Sequence, residues 1–175
     1  HIYIIGIRSC APLASFMAFY FTLMFPNVHL IQTSSSSEIF EQMVRIGKED
    51  VIIGISFPRY SMRTLKAMEF ANNRSAKVIT LTDSVHSPMN LYSSCNLIAD
   101  SDMASIVDSL VAPLSVINAL IVALCMKKQN EVAKTLEMLE DIWDEYQVYE
   151  NDEINYIDDS IKMRYGKVGD AELYE

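Results

Sequence analysis

The sequence predicts a three-layer α/β fold, a parallel sheet of five strands with helices on both faces. Three observations carry that expectation. Apolar runs of four to six residues alternate with longer helical patterns, which is the signature of βαβ units and so of parallel strands joined by right-handed crossovers. The first run, Ile2–Ile7, is apolar without alternation, as in a strand covered on both faces. Gly and Pro number only five each, so long elements and short loops are expected.

The elements follow in order. Ile2–Ile7 opens the sheet. Pro12–Phe25 is apolar nearly all round and reads as a buried helix, ended by Pro26–Asn27. Val28–Ile31 is a short second strand. Ser37 or a neighbouring serine caps a helix over Glu38–Lys48, with Ile39, Phe40, Met43 and Val44 on one face and Gly47 near its end. Asp50 leads into the third strand, Val51–Ser56. Ser61–Asn72 is a helix with Leu65, Met68 and Ala71 inward. Lys77–Thr82 and the short Asn96–Ala99 complete the sheet. From Asp102 onward the chain reads as helical, with Ser101 or Asp102 as a cap. Ala112–Met126 is strongly apolar, and Pro113 is tolerable in a first turn or at a kink. After a polar break at Lys127–Asn130, the residues Val132, Leu136, Leu139, Trp143 and Tyr146 recur at spacings of three and four, with acids opposite. Residues 1–150 are expected to form the domain. Residues 151–175 are expected to be an acidic C-terminal tail, of which Tyr156–Glu175 is expected to be mobile or packed on a partner. With the strand order 2-1-3-4-5, the layering is flavodoxin-like and the switch point falls between the first and third strands. Ligands sit there, beyond the carboxyl ends of the strands.

Composition narrows the function. The 175 residues carry a formal charge of −9, unevenly placed. Residues 1–130 hold ten Lys/Arg against nine Asp/Glu, a net +1, whereas residues 131–175 hold four against fourteen, a net −10. Neither part has the basic stripe of a nucleic-acid surface, and the acidic segment reads as a solvated face. The three cysteines, Cys10, Cys95 and Cys125, are far apart, which argues for a reducing compartment and against disulfides or a zinc site. His1, His29 and His86 lack metal-ligand spacing, and no cofactor motif is present. The most apolar stretch, Ala119–Met126, is too short to span a bilayer, so no membrane partner and a cytoplasmic location are expected. A chain that opens on His1 and enters a strand at once reads as a piece of a longer protein or a trimmed one.

Two strand-to-helix junctions carry the candidate chemistry. In the first, Arg8-Ser9-Cys10 follows the first strand and precedes Pro12. Ser9 there can hold an anion or simply cap the helix. An Arg at a strand end flanked by apolar residues favours an anionic partner. In the second, Ser56 ends the third strand, Arg59 sits in the turn, and Ser61 and Thr64 open the next helix. Helix N-termini bind anions because unpaired N–H groups and the helix dipole converge there. The acids Asp83, Asp100, Asp102 and Asp108 read as turn formers and caps, and His86 as a solvated loop residue. No nucleophile–base–orienter set is formed, so no catalytic residue is assigned.

These residues resemble a known family, the SIS (sugar isomerase) domain, which binds phosphosugars. The family pattern places G-x-G-x-S after the first strand and S-x-S-G-x-[ST] after a later one. Here Gly6-Ile7-Arg8-Ser9-Cys10 stands at the first and Ser56-Phe57-Pro58-Arg59-Tyr60-Ser61 at the second. Over roughly residues 2–150, the segments ISFPRYSMRT, VITLTDSVHSP and PLSVINALIVAL look like the ligand-sensing half of RpiR-type transcriptional regulators. The resemblance implies an effector-sensing and dimerising domain of such a bacterial regulator. It also implies a phosphorylated sugar as effector and a homodimer or higher homo-oligomer. DNA would be contacted only through an N-terminal helix-turn-helix domain missing here. The site it implies comprises Arg8, Ser9, Cys10, Ser56, Arg59, Ser61 and Thr64. The alternatives are a sugar-phosphate isomerase, for which only His86 and Asp83 offer a base, and a dimerisation module without ligand. The pattern is not matched throughout. Arg8 and Arg59 stand where the family has glycine, Cys10 where it has serine, and Pro58 where it has the middle serine. Two readings follow: the arginines replace backbone donors in holding phosphate, or they fill the site and the ligand differs.

Overall fold

Five short apolar strands can bury both faces only if helices cover each side of the sheet, and that is the arrangement found. The computed structural model describes residues 1–32, 35–102, 107 and 109–149 of the chain. Strands β1 (Ile2–Gly6), β2 (Val28–Ile31), β3 (Val51–Ile55), β4 (Lys77–Thr82) and β5 (Cys95–Ile98) form one parallel sheet in the order β2-β1-β3-β4-β5. The order is the one expected, and its switch point lies between β1 and β3. Helices α1 (Ala11–Met24) and α4 (Val111–Lys127) cover one face, and α2 (Ser36–Gln42) and α3 (Met62–Asn73) the other. Helix α5 (Gln129–Glu145) follows α4.

The strand alternation sorts the core into two layers. Ile4, Ile53, Ile55 and Leu81 pack beneath α1 and α4 with Leu13, Met17, Phe21, Ile117 and Ile121. Tyr3, Ile5, Ile52 and Val78 point the other way, against Ile39, Met43, Ala67, Met68 and Ala71. Helix α1 buries Leu13, Ala14, Met17, Ala18, Phe21 and Met24, a face wide enough to seal β1 and β2.

Several expectations are corrected. The helix expected over Glu38–Lys48 runs only Ser36–Gln42 and ends in a turn at Met43–Arg45. That turn carries Val44 out to solvent and Ile46 in beside Met43, so the inward set is Ile39, Met43 and Ile46. The first helix begins at Ala11, directly after a 3₁₀ turn at Arg8–Cys10. Its N-cap residue is Cys10, which makes no side-chain capping bond, so Ser9 is not the cap. Helix α4 begins at Val111, with Ser109 and Leu110 before it outside any helix; the helical reading from Asp102 falls largely on residues 103–106 and 108, which lie outside the described residues. Ser101 does not cap α4: its hydroxyl donates to the Ser109 carbonyl at 3.1 Å. Asp108 and residues 151–175 lie outside the described residues. Helix α4 is less covered than its composition suggests: only Pro113, Ile117 and Ile121 are buried, while Val122 and Met126 are 58% and 75% exposed.

The chain divides into two units, His1–Val132 and Ala133–Glu175. The described part of the second is the bulk of α5 and the turn after it. It is amphipathic, and Trp143 packs edge-on against Tyr149 with ring centroids 5.3 Å apart. Among the described residues, no single helix is long and apolar enough to cross a membrane.

Gly6 matters for geometry rather than for flexibility. A Cβ there would lie 2.5 Å from the Cys10 carbonyl oxygen and 3.1 Å from the Ala14 Cβ, both fixed by the start of α1. At Gly54 the corresponding clash, 2.4 Å, is with the Met68 sulfur, the movable end of a long side chain. Gly6→Ala is therefore expected to destabilise the fold by about 1–3 kcal/mol and Gly54→Ala by less. Urea unfolding of the two variants checks the order.

Candidate anion site at the strand ends

Parallel register sets the site. Gly6 stands opposite Ile55, so Ile7 and Ser56 leave the sheet side by side, about 5 Å apart. The β3 pairing continues one residue further, since the Ser56 amide donates to the Leu81 carbonyl at 3.2 Å. Ser56 is thus held at the rim of the sheet, almost fully buried.

From Ser56 a chain of hydroxyls runs onto α3. The Ser56 Oγ accepts from the Ser61 amide at 3.0 Å. Ser61, the N-cap residue, accepts in turn from the Thr64 amide at 3.3 Å. These bonds satisfy two of the four N–H groups that a helix start leaves without an intrahelical partner. Both serines keep a hydroxyl proton to donate. The third hydroxyl, Thr64 Oγ1, is fully buried and has no hydrogen-bond partner, an uncommon condition for a buried polar group. Ser56, Ser61 and Thr64 are brought together as the spacing implied.

The arginines occupy the two loops in the same unusual way. Arg8 has φ 59° and Arg59 φ 63°, both left-handed. A side chain in that region costs about 1–2 kcal/mol relative to the right-handed form, and glycine escapes the cost. The backbone therefore keeps the turn geometry of the glycine pattern while carrying a guanidinium. Both side chains are exposed, Ser9 is exposed beside Arg8, and Cys10 is buried under the turn. Cys10 thus faces the core.

The structure adds residues that motif reasoning passed over. The Tyr60 hydroxyl donates to Asp83 Oδ1 at 2.9 Å, and Thr82 Oγ1 donates to the same oxygen at 3.1 Å. Thr82 also meets Ser87 at 2.9 Å. Burial pushes the Tyr60 phenol above its ordinary value; the hydrogen bond with Ser87 opposes that rise and the one to Asp83 adds to it. Asp83 is thereby committed to a structural bond, and His86 is exposed. A cleft of about 190 Å³ opens on the β2 side of the same rim, between Gly6, Ile7, Arg8, Ile31, Gln32 and Ile39. Gln32 closes the β2 strand end, a polar residue after an apolar run, which is the signal that marks it in the sequence. A larger hollow of about 450 Å³ lies at the opposite strand ends, beside Tyr3, His29, Glu41 and Arg45, and holds none of the anion-site residues. Among the described residues, no group of three His, Cys, Asp or Glu side chains is placed to hold a metal.

If backbone strain is real at both loops, Arg8→Gly and Arg59→Gly should each be more stable than the matching alanine variant. The expected difference is a few tenths to about 1 kcal/mol, strain relief less the glycine entropy cost. Chemical denaturation of the four variants reads it directly, and equal midpoints for glycine and alanine would contradict it.

Comparison with known proteins agrees with the geometry. The SIS domain family model matches residues 1–123. An uncharacterised HTH-type transcriptional regulator of Caldanaerobacter subterraneus subsp. tengcongensis is 32% identical over 98 residues, covering 54% of this chain and 35% of that protein. The chain thus spans about a third of the length of that curated relative. The sugar isomerase domain of the RpiR transcription factor from Sphaerobacter thermophilus superimposes with a TM-score of 0.76 at 21% identity, covering 81% of this chain and 78% of that one. The Vibrio vulnificus NanR protein, solved in complex with ManNAc-6P, gives a TM-score of 0.66 at 18% identity, covering 81% and 55%. At these identities the two structures speak to the fold, and they share it over most of the described chain. The family match covers well over half of the sequence, and with it the strand-end loops acquire a common origin: the chain belongs to the SIS domain family.

Proposed function

We propose that this chain is the effector-sensing and dimerising domain of a bacterial RpiR-type transcriptional regulator, and that its effector is a phosphorylated sugar. The observation that carries the proposal is the set of three hydroxyls at the α3 N-terminus, at the β1/β3 switch point: Ser56 and Ser61, which accept from the Ser61 and Thr64 amides, and the buried, unpartnered Thr64 Oγ1. A phosphate set there accepts hydrogen bonds from the Ser56 and Ser61 hydroxyls, faces the positive end of the α3 dipole, and pairs with Arg59 as a charge-assisted donor. Ser9 closes the site from the β1 loop, and Arg8 stands beside it in the wall of the neighbouring β1/β2 cleft. The likeness to the RpiR sugar isomerase domain and to NanR with its phosphosugar supports the reading, as does the regulator relative.

In this reading the domain does not contact DNA itself. Its net charge is −9, and phosphate neutralisation needs a cluster of cations. DNA contact belongs to a helix-turn-helix domain of the parent protein, in the cytoplasm. The exposed apolar residues of α4, Val111, Val122 and Met126, form part of the homodimer contact. Effector binding then acts by population shift, favouring one spacing of the two DNA-binding heads over another.

Phosphorylated sugars should raise the melting temperature and their unphosphorylated counterparts should not. Equal shifts from both sets, or none from either, would sink the reading. Arg59→Ala should weaken binding by about 1.5–3 kcal/mol, the range for a hydrogen bond to a charged group, measured by titration calorimetry. A coupled assay on aldose and ketose phosphates should show binding without turnover; turnover lost in Asp83→Ala or His86→Ala would favour an isomerase. For assembly, sedimentation should show a dimer at micromolar concentration that Val122→Glu dissociates.

A further inference from the structure

The β2 side of the site holds a cation that a single phosphate does not need. The phosphate position at the α3 start already has the helix dipole, worth roughly half a charge, two serine hydroxyls and Arg59. Arg8 stands on the other flank of β1, in the wall of the cleft between β1 and β2. Among the described residues, the rest of that cleft is apolar except for Gln32: Ile5, Ile7, Leu30, Ile31 and Ile39 supply most of its surface, and no carboxylate lines it. Gln32 is fixed at the mouth, its amide nitrogen donating to the Ser15 hydroxyl at 3.3 Å. At about 190 Å³, the cleft has room for roughly six water molecules at ~30 Å³ each, enough for one end of a short sugar chain. The Arg8 backbone is left-handed at φ 59°, so an arginine stands at this wall at a conformational cost that a glycine would avoid.

We infer that the effector carries a second anionic group, a carboxylate, at the end of the sugar opposite its phosphate, and that Arg8 binds it in the β1/β2 cleft. The inference rests on the phosphosugar reading above and names its class as a phosphorylated sugar acid. A guanidinium offers a planar fork that matches a carboxylate with two parallel hydrogen bonds. The Gln32 amide supplies a neutral donor beside it. The phosphate lies at the β3 end and the carboxylate at the β2 end, with β1 and Gly6 between them.

The test is calorimetric titration of the 175-residue chain with three probes: sorbitol 6-phosphate, its acid counterpart 6-phosphogluconate, and fructose 1,6-bisphosphate. The acid should bind about tenfold to a hundredfold more tightly than the neutral alcohol, the range for one charge-assisted contact. In Arg8→Gly, which suits the left-handed backbone, that ratio should fall to near one. Arg8→Asn, a residue that also tolerates this conformation, is the second variant should the first fail to fold. In Arg59→Gly both ligands should weaken together and the ratio should persist. Equal affinity for the acid and the alcohol, a ratio unchanged in Arg8→Gly, or tightest binding by the bisphosphate would each overturn the inference while leaving the phosphosugar reading standing. No binding by any of the three would overturn both.

Discussion

The pairing of β1 with β3 is the constraint on which the remaining features depend. Two apolar strands, distant in sequence and parallel in space, must be neighbours before either loop acquires a function. Their register sets Gly6 against Ile55, which brings two chain exits to one level of the sheet. The close approach of α1 at Gly6 keeps the first exit low and tight, because no side chain separates strand from helix. On either side of this pair the strand order runs outward in opposite directions. The helices that follow β1 and β3 therefore lie on opposite faces, and a crevice opens between their starts. Everything proposed about anion recognition follows from that divergence.

Within the crevice, conformation and chemistry have been separated. The two loops retain left-handed turns, the backbone requirement that glycine meets most easily. The residues there are arginines, which meet it with strain and add charge. In a sheet domain that is close to neutral over its first 130 residues, two cations at one rim define the local field far more than net charge does. Asp83, the carboxylate nearest in the topology, is already occupied by Tyr60 and Thr82.

Much of this was legible in the sequence, for physical reasons that also explain the misses. Strands such as Ile2–Gly6 and Lys77–Thr82 announce themselves because double burial demands unbroken apolar runs. The start of α3 was legible because Ser61 is a capping residue followed three positions later by the amide it binds. The grouping of the Ser56, Ser61 and Thr64 hydroxyls came with it. The extent of α2 was not legible: Ile39, Met43 and Ile46 keep a helix-like spacing through a turn that is not helix, so periodicity overshoots. Left-handed backbone at Arg8 and Arg59 left no trace in residue type, since arginine has no preference for it. Only the family pattern, with glycine at both places, hinted at the geometry. The Tyr60–Asp83 bond was invisible because it joins residues separated by 23 positions, and no local rule reports on such a contact. The cleft at Gln32 needed the β1/β2 pairing before its walls could be assembled.

That Tyr60–Asp83 bond has a mechanical consequence. Tyr60 follows Arg59 directly, and Asp83 follows the last residue of β4, so one hydrogen bond stitches the loop after β3 to the loop after β4. Asp83 is in turn braced by Thr82, and Thr82 by Ser87, at the entrance to the 3₁₀ turn Pro88–Tyr92. The loop bearing Arg59 is therefore not a free flap. Any shift of its backbone must carry the β4 loop with it or break a bond whose donor is partly withdrawn from water. A displacement begun at the crevice is thus coupled through these bonds to the loop after β4 and to the 3₁₀ turn that precedes β5.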